Sequence, residues 1–498
     1  MKRFIHNKIF GPNYRWWALC VVALAVFMVT TDQGLLAISL PVIMTEFHAD
    51  MALAGWIALI YALVTGSLYL PCGRLSDLVG RKRIISVGFL FYSISSVIAG
   101  FSQGPGQLIF FRALQAVGSA LMMANTFALT TSLFPAEERG RAMGISGGLV
   151  AALGFTLGPV LGGLITHTLG WRYIFYVTSL LGLIGFTTAR ILLFEEKTIT
   201  SDPEAREPFD LTGAVTFALG LSFFLLALTT GQKGVWNSFM VQAEFLIAFS
   251  SLGFFLWWEA HTRYPLLDLK LFRIVPFAVG NVTRLASFIA FSMNELMMPF
   301  FLQLGLALNP LRAGFLMTPT AIALAVLSPF TGWLSDRIGT RHLVSAGLAI
   351  KGVAFVLLSF LGLGASSLDV VLRLGLLGIG LGIFQTPNNN SLMGSIPGNR
   401  LGVASSFISI VRSVGRSVGT AFATAIVSGS LLAVTGQTSL QNLWTSPDSG
   451  ANSVLMSAFM QGYRYTFMIA GLFCLAGMLG SLMWREMPSD LHVNDNRR

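Results

Sequence analysis

Gly73-Arg74-Leu75-Ser76-Asp77-Leu78-Val79-Gly80-Arg81-Lys82-Arg83 is echoed 259 residues later by Gly332-Trp333-Leu334-Ser335-Asp336-Arg337-Ile338-Gly339-Thr340-Arg341. Both stretches read G-x-L-S-D-x-x-G-x-K/R, with Lys82 in the first and Arg341 in the second. Nearly the same offset relates Arg112 to Arg373, Gly118 to Gly380 and Pro135 to Pro397. A motif that recurs at a fixed distance together with its neighbours marks a duplicated unit. Each copy stands at the end of a long apolar run, so the duplicated unit is a set of membrane spans and both copies point the same way.

Working outward, the whole chain has the composition that such spans demand. Apolar residues make up 54% and charged ones only 11% of its 498 residues, against about 25% charged in an ordinary soluble domain. Mean hydropathy is +0.71. A bilayer core about 30 Å thick needs roughly 20 apolar residues per helix. Fourteen such stretches are expected, at about 16–43, 52–72, 83–102, 107–133, 141–166, 171–194, 210–231, 238–260, 275–304, 311–334, 341–363, 368–393, 401–433 and 462–485. Spans 1–6 and 9–14 are the two copies, and spans 7 and 8 an inserted pair. The division is therefore 1–194, 195–270 and 271–498, the last with an outer loop at 434–460 rich in Ser, Asn, Thr and Gly. The flanks Leu431–Val434 and Val454–Phe459 of that loop are expected to form a small hairpin or a short helix.

The net charge of +10 does not indicate nucleic acid, because the basic residues stand in short clusters between apolar runs. Between the spans, twenty-one Lys and Arg fall on one side and four on the other. That asymmetry places both termini in the cytoplasm. The basic start followed by a long apolar run is read as a retained first helix. The three cysteines lie in or beside apolar runs, with no metal-binding or disulfide spacing. There is no P-loop and no serine–histidine–acid pattern, so neither ATP-driven work nor hydrolysis is expected, and no cofactor or metal is called for.

Two parallel six-helix halves, with Gly73 to Arg83 as a signature loop, resemble the major facilitator fold, an all-α integral membrane architecture. Leu78 departs from the signature, where a basic residue is usual. Arg112-Ala113-Leu114-Gln115 resembles the arginine motif of span 4 in that superfamily. Gly154-x-x-x-Gly158-Pro159-x-x-Gly162-Gly163 resembles the antiporter motif of span 5. Asp32 with Ala37-Ile38-Ser39-Leu40-Pro41 resembles the span 1 signature of the fourteen-helix drug:proton antiporters. The resemblance implies a monomeric multidrug exporter in a bacterial cytoplasmic membrane, its partners being lipid, protons and a small molecule.

The candidate residues follow from charge in an apolar setting. Asp32 lies mid-span, where a charge costs roughly 2.5–3.5 kcal/mol. It is read as a proton carrier that also contacts substrate, the alternative being a salt bridge to a structural arginine. Glu295 is a second carboxylate, flanked by Phe288, Phe291 and Met297 in a soft aromatic setting suited to flat lipophilic cations. Arg112 is assigned to proton coupling by resemblance, and Gln115, one turn on, shares its face. Gln385, Asn388, Asn389 and Asn390 break span 12 with polar groups that either face a cavity or bond across to Asn125 on span 4. Gly73, Asp77, Gly80, Arg81, Gly332, Asp336, Gly339 and Arg341 are read as gating loops that turn on their glycines. Gly154, Gly158 and Gly162 form a bare stripe that another backbone can approach, read as a contact between the halves. Pro159 removes a hydrogen bond beside it.

The function expected is proton-coupled antiport exporting lipophilic, cationic compounds by alternating access. Uptake of an anion or small metabolite by symport is the alternative, motivated by Arg112, Arg284, Arg412 and Arg416. A non-transporting membrane binding protein or sensor is the alternative of another class.

Overall fold

The computed structural model of the chain describes residues 13–47, 51–193, 208–231, 236–308, 310–435 and 451–482. Among the described residues there is no β-strand, and fourteen long helical spans follow in order. They are α1 (Tyr14–Phe47), α2 (Met51–Val79) and α3 (Arg81–Gly100), α4 (Pro105–Leu133) and α5 (Ala136–Thr168), α6 (Arg172–Leu192), α7 (Leu211–Gly231) and α8 (Phe239–His261). Then come α9 (Val275–Gly305), α10 (Pro310–Ile338), α11 (Arg341–Ser359), α12 (Ser367–Gly394), α13 (Leu401–Thr435) and α14 (Ala451–Leu482). Thirteen are long and apolar enough to cross a membrane, and α2 matches them with 29 residues. Their ends carry ordinary helix punctuation. Pro105 stands in the first turn of α4, where its missing N–H is harmless. The Ser366 hydroxyl accepts from the Asp369 N–H at 3.2 Å and caps α12.

Two expectations change here. The duplicated stretch is not a loop: Gly73–Val79 close α2 and Gly332–Ile338 close α10, so only Gly80 (φ 110°) and Gly339 (φ 85°) make the turn. That left-handed backbone favours glycine. Second, residues 451–461 belong to α14 and 431–435 to α13, so both flanks of the outer loop continue membrane helices. Leu455, Ala458 and Phe459 are buried in the C-terminal half. The polar residues Ser453, Ser457, Gln461 and Arg464 interleave with them and hide that face in the sequence. Residues 436–450, the middle of the expected loop, lie outside the described residues, as do 1–12, 194–207 and 483–498.

α1–α6 and α9–α14 form the two halves. The inserted pair α7–α8 packs on α2 and touches α13, with the Ser222 hydroxyl donating to Ser67 at 3.0 Å. The apolar core reveals how the halves meet. At the end carrying the duplicated stretch, one continuous cluster joins residues of α2, α4 and α5 to Phe277, Met393, Leu401 and Val403 of the other half. Toward the opposite end the cores are separate. Leu35, Ile57 and Trp171 cluster within the N-terminal half, and Phe301, Phe459 and Tyr463 within the C-terminal half.

Candidate functional site

At the joined end, the two copies of the duplicated stretch meet the opposite half in equivalent ways. A Cβ on Gly73 would collide with the Gly402 carbonyl of α13, and one on Gly332 with the Gly140 carbonyl of α5. Only glycine lets these backbones approach. Asp77 then accepts from the N–H groups of Gly402 (3.0 Å) and Val403 (3.2 Å), in the first turn of α13. Asp336 accepts from the N–H groups of Gly140 (2.9 Å) and Arg141 (3.2 Å). For Asp77, on first-turn N–H groups, the helix dipole adds to the bonds. Arg81 holds Asp77 at 3.3 Å and donates to the Gly398 carbonyl at 2.9 Å, reaching across the same seam. Asn390 donates to Asp336 at 2.9 Å. Arg341 instead donates to the Leu482 carbonyl within its own half.

The glycine stripe of α5 does not lie between the halves. Gly154, Gly158 and Gly162 face Thr30, Thr31 and Leu35 of α1, and Pro159 seats against Gly34. Gly163 lies at ordinary contact distance from Ile38. The inter-half glycines of α5 are those upstream, Gly140, Gly144 and Gly148, which meet Gly332, Ser328 and Pro329 of α10. The change of face falls just past a π-helical turn at Gly144–Leu149. Such a turn rotates the register of everything after it.

Asp32 sits behind this stripe, 3% exposed. Arg112 of α4 donates to it at 2.7 Å, the Tyr92 hydroxyl of α3 at 2.9 Å and the Gln115 amide at 3.4 Å. Gln115 accepts from Arg112 at 2.5 Å and donates to Ser96 at 2.7 Å. The Tyr61 ring of α2 lies 4.3 Å from the guanidinium. Four helices are thereby tied around one buried ion pair. A pair so enclosed contributes little net stability, yet losing one partner costs about 3–5 kcal/mol.

Glu295 stands elsewhere, on α9, and Arg416 of α13 bonds both its oxygens, at 3.1 and 3.0 Å. This pair is open: the side chains are 32% and 36% exposed. Arg416 also lies 5.9 Å from the ring of Phe155 on α5, so the opening faces the gap between the halves. One turn back on α13, Arg412 stands close to the buried Tyr69 of α2. The other residues expected beside Glu295 scatter. Phe288 is buried beneath Arg284, 5.0 Å away. Phe291 packs with Ala152, Leu324 and Leu381 across the seam. Met297 is buried in the C-terminal core.

The polar break of α12 makes no hydrogen bond to Asn125 of α4. Asn388 donates to the Gly280 carbonyl (3.1 Å) and the Thr283 hydroxyl (3.2 Å) of α9. Asn389 accepts from Arg284, and Asn125 donates within its own helix. Only Gln385 crosses the seam, donating to the Gly147 carbonyl at 3.3 Å. Arg373, the repeat mate of Arg112, pairs with Asp369 at 2.8 Å near the start of α12. Tyr92 and Lys351, both fully buried, were not singled out from the sequence. The signal was there: the offset of 259 that relates the duplicated stretches also superposes Tyr92 on Lys351.

Among the described residues no three His, Cys, Asp or Glu side chains form a group that could hold a metal ion. The arrangement is that of two bundles sealed at one end, with a buried ion pair in one half and an open ion pair in the other. Comparison with known proteins agrees. Residues 22–420 match the family model described as Major Facilitator Superfamily. The riboflavin transporter RibZ of Clostridioides difficile is 30% identical over 84% of this chain and 89% of its own length. The multidrug resistance protein Stp of Mycobacterium tuberculosis is 31% identical over 80% and 73%. The lincomycin resistance protein LmrB of Listeria monocytogenes is 26% identical over 93% and 95%. Among solved structures, the human organic anion transporter MFSD10 shares the fold with a TM-score of 0.65 at 15% identity, over 92% of this chain and 99% of its own.

Proposed function

The chain belongs to the major facilitator superfamily, a transporter and not an enzyme, and on that premise we propose that it is a proton-coupled antiporter exporting lipophilic, cationic compounds. The observation that carries this reading is the Asp32–Arg112–Tyr92 network. Three donors converge on the Asp32 carboxyl in this conformation. A proton can bind only if Arg112 swings away, and Arg112 ties α4 to α1 across the N-terminal half. Protonation and helix packing are thereby linked: each can proceed only with the other. The excess of Lys and Arg on one side supports cytoplasmic termini; the sealed end then faces the cytoplasm and the gap opens outward. The substrate site is the gap beside Phe155, Glu295, Arg416 and Gln385. Relatives named for multidrug and lincomycin resistance support export. A relative named for riboflavin supports a flat aromatic cargo. The working unit is the monomer, in a bacterial cytoplasmic membrane.

In a weakly buffered detergent solution, adding a lipophilic cation should release protons from the wild-type protein and none from Asp32→Asn. Proton uptake on adding an organic acid, with no response to cations, is the result that would turn the reading to anion symport. That second reading has its own observation, since Arg284 is buried without a carboxylate among the described residues and Arg412 adds a further cation nearby.

Glu295→Gln is expected to weaken binding of a cationic dye by about tenfold or more, the value of one charge-assisted contact. Binding of an uncharged aromatic should change little. Fluorescence titration of both ligands checks this, and equal losses for both would place Glu295 outside the substrate site.

A further inference from the structure

Two basic side chains of the C-terminal half are fully enclosed with no carboxylate partner among the described residues, Arg284 and Lys351. Arginine stays charged in any such setting, but a buried lysine readily gives up its proton. Lys351 lies at the middle of α11 and is 0% exposed. Its amine donates to the Ser287 carbonyl at 3.1 Å and to the Ser287 hydroxyl at 2.5 Å. An ammonium has three N–H groups to place and a neutral amine two. The pocket offers two acceptors, both on one residue.

The surroundings supply no other counter-charge. From α9 comes Ser287. From α12 come Gly380, packed against the Lys351 stem, and the Phe384 ring, 5.6 Å away. From α14 comes Cys474, a buried thiol and the one titratable group near it among the described residues. The carboxylates of α9 and α12 are engaged elsewhere, Glu295 with Arg416 and Asp369 with Arg373.

The duplication sharpens the comparison. Gly118 packs on Tyr92 as Gly380 packs on Lys351. Tyr92 reaches from α3 to α1 to bond Asp32. Lys351 reaches from α11 to the equivalent helix α9. Each half thus sends a hydrogen-bonding tip from its third helix to its first, in one half to a carboxylate and in the other to a serine.

We propose that Lys351 is a second proton-binding site of the transporter, in the C-terminal half. In the sealed conformation the amine is neutral and bonded to Ser287. When α9 shifts against α11 and water reaches the pocket, the amine lone pair takes up one proton, which the ammonium returns when the helices close again. No other bond changes. Its use in transport rests on the antiport reading above, whereas its protonation state in this conformation does not.

The experiment has two arms. The first is nitrogen NMR of the full-length protein labelled at its seven lysines, with Lys351→Arg assigning the signal. A neutral-amine signal near neutral pH, where the other lysines are ammonium, is the expected result. An ammonium signal there, like the others, overturns the proposal. The second arm measures protons moved per substrate in proteoliposomes. Lys351→Gln and Lys351→Met should each move one proton fewer than wild type, and unchanged stoichiometry in a folded variant also overturns the proposal. Asp32→Asn serves as the separate control: if that variant keeps full coupling, the antiport reading fails, while the NMR result on Lys351 stands or falls by itself.

Discussion

Asp32→Asn should give a folded transporter that equilibrates its substrate but no longer concentrates it. The amide oxygen of Asn can still accept from Arg112 while its NH2 donates to the Tyr92 hydroxyl oxygen, so the four-helix tie around residue 32 is kept in outline. What is lost is the site that alternates between charge states. Each proton exchanged per substrate makes a gradient of one pH unit worth about 1.4 kcal/mol, or roughly tenfold accumulation. Wild-type proteoliposomes should reach at least roughly tenfold accumulation, and Asp32→Asn, in which the obligatory coupling step is lost and any proton taken up at Lys351 no longer drives substrate, should stay near a ratio of about one. Asp32→Ala is expected to behave differently, because it strands the buried guanidinium of Arg112. It should lose about 3–5 kcal/mol of stability, visible as a lowered melting temperature in detergent. Accumulation by Asp32→Asn equal to wild type would remove Asp32 from the coupling mechanism.

The second large effect is expected at the sealed end. Gly73 and Gly332 stand where two backbones meet across the seam, and a Cβ at either would strike a carbonyl of the opposite half. Overpacking of this kind costs about 1–3 kcal/mol per site. The cost falls only on the sealed conformation. The double substitution Gly73→Val with Gly332→Val should therefore shift the conformational balance by about 2–6 kcal/mol, at least thirtyfold in population. Cys72, buried beside Gly73, reports on it once Cys20 and Cys474 are replaced by serine. Its reaction with a membrane-impermeant maleimide added from the cytoplasmic side should quicken at least about thirtyfold, and transport should stop while substrate binding persists. Unchanged labelling with unchanged transport would mean that the seam does not open during the cycle.

The fold was legible because its determinants are local or repeated. Apolar runs of membrane length and a doubled ten-residue motif need no knowledge of which helix touches which. Asp32, Arg112, Glu295 and Arg416 were visible for a related reason, since a charge inside an apolar run is costly wherever it points. Their pairing was not visible. Asp32 and Arg112 are 80 residues apart, and spacing within one helix says nothing about which faces of two helices meet. Gln115 was the exception, because its three-residue distance from Arg112 fixes a shared face.

The same limit explains the misplaced glycines. Gly154, Gly158 and Gly162 are visible as a stripe, but the stripe fits α1 as well as it would fit the other half. The π-helical turn that decides the matter has no sequence signature of its own. Gly73 and Gly332 were read as turn residues, whereas they serve close approach of helices one turn or more before the chain bends. Lys351 is one basic residue among several inside the spans, and only superposing the repeats brings it beside Tyr92.

The most direct test of the antiport account is flux in proteoliposomes of uniform orientation under pH gradients of either sign, with a lipophilic cation on both sides. The account predicts that the cation moves opposite to the protons in both cases and that reversing the gradient reverses the flux. Movement of substrate in the same direction as the protons would contradict it and make the protein a symporter.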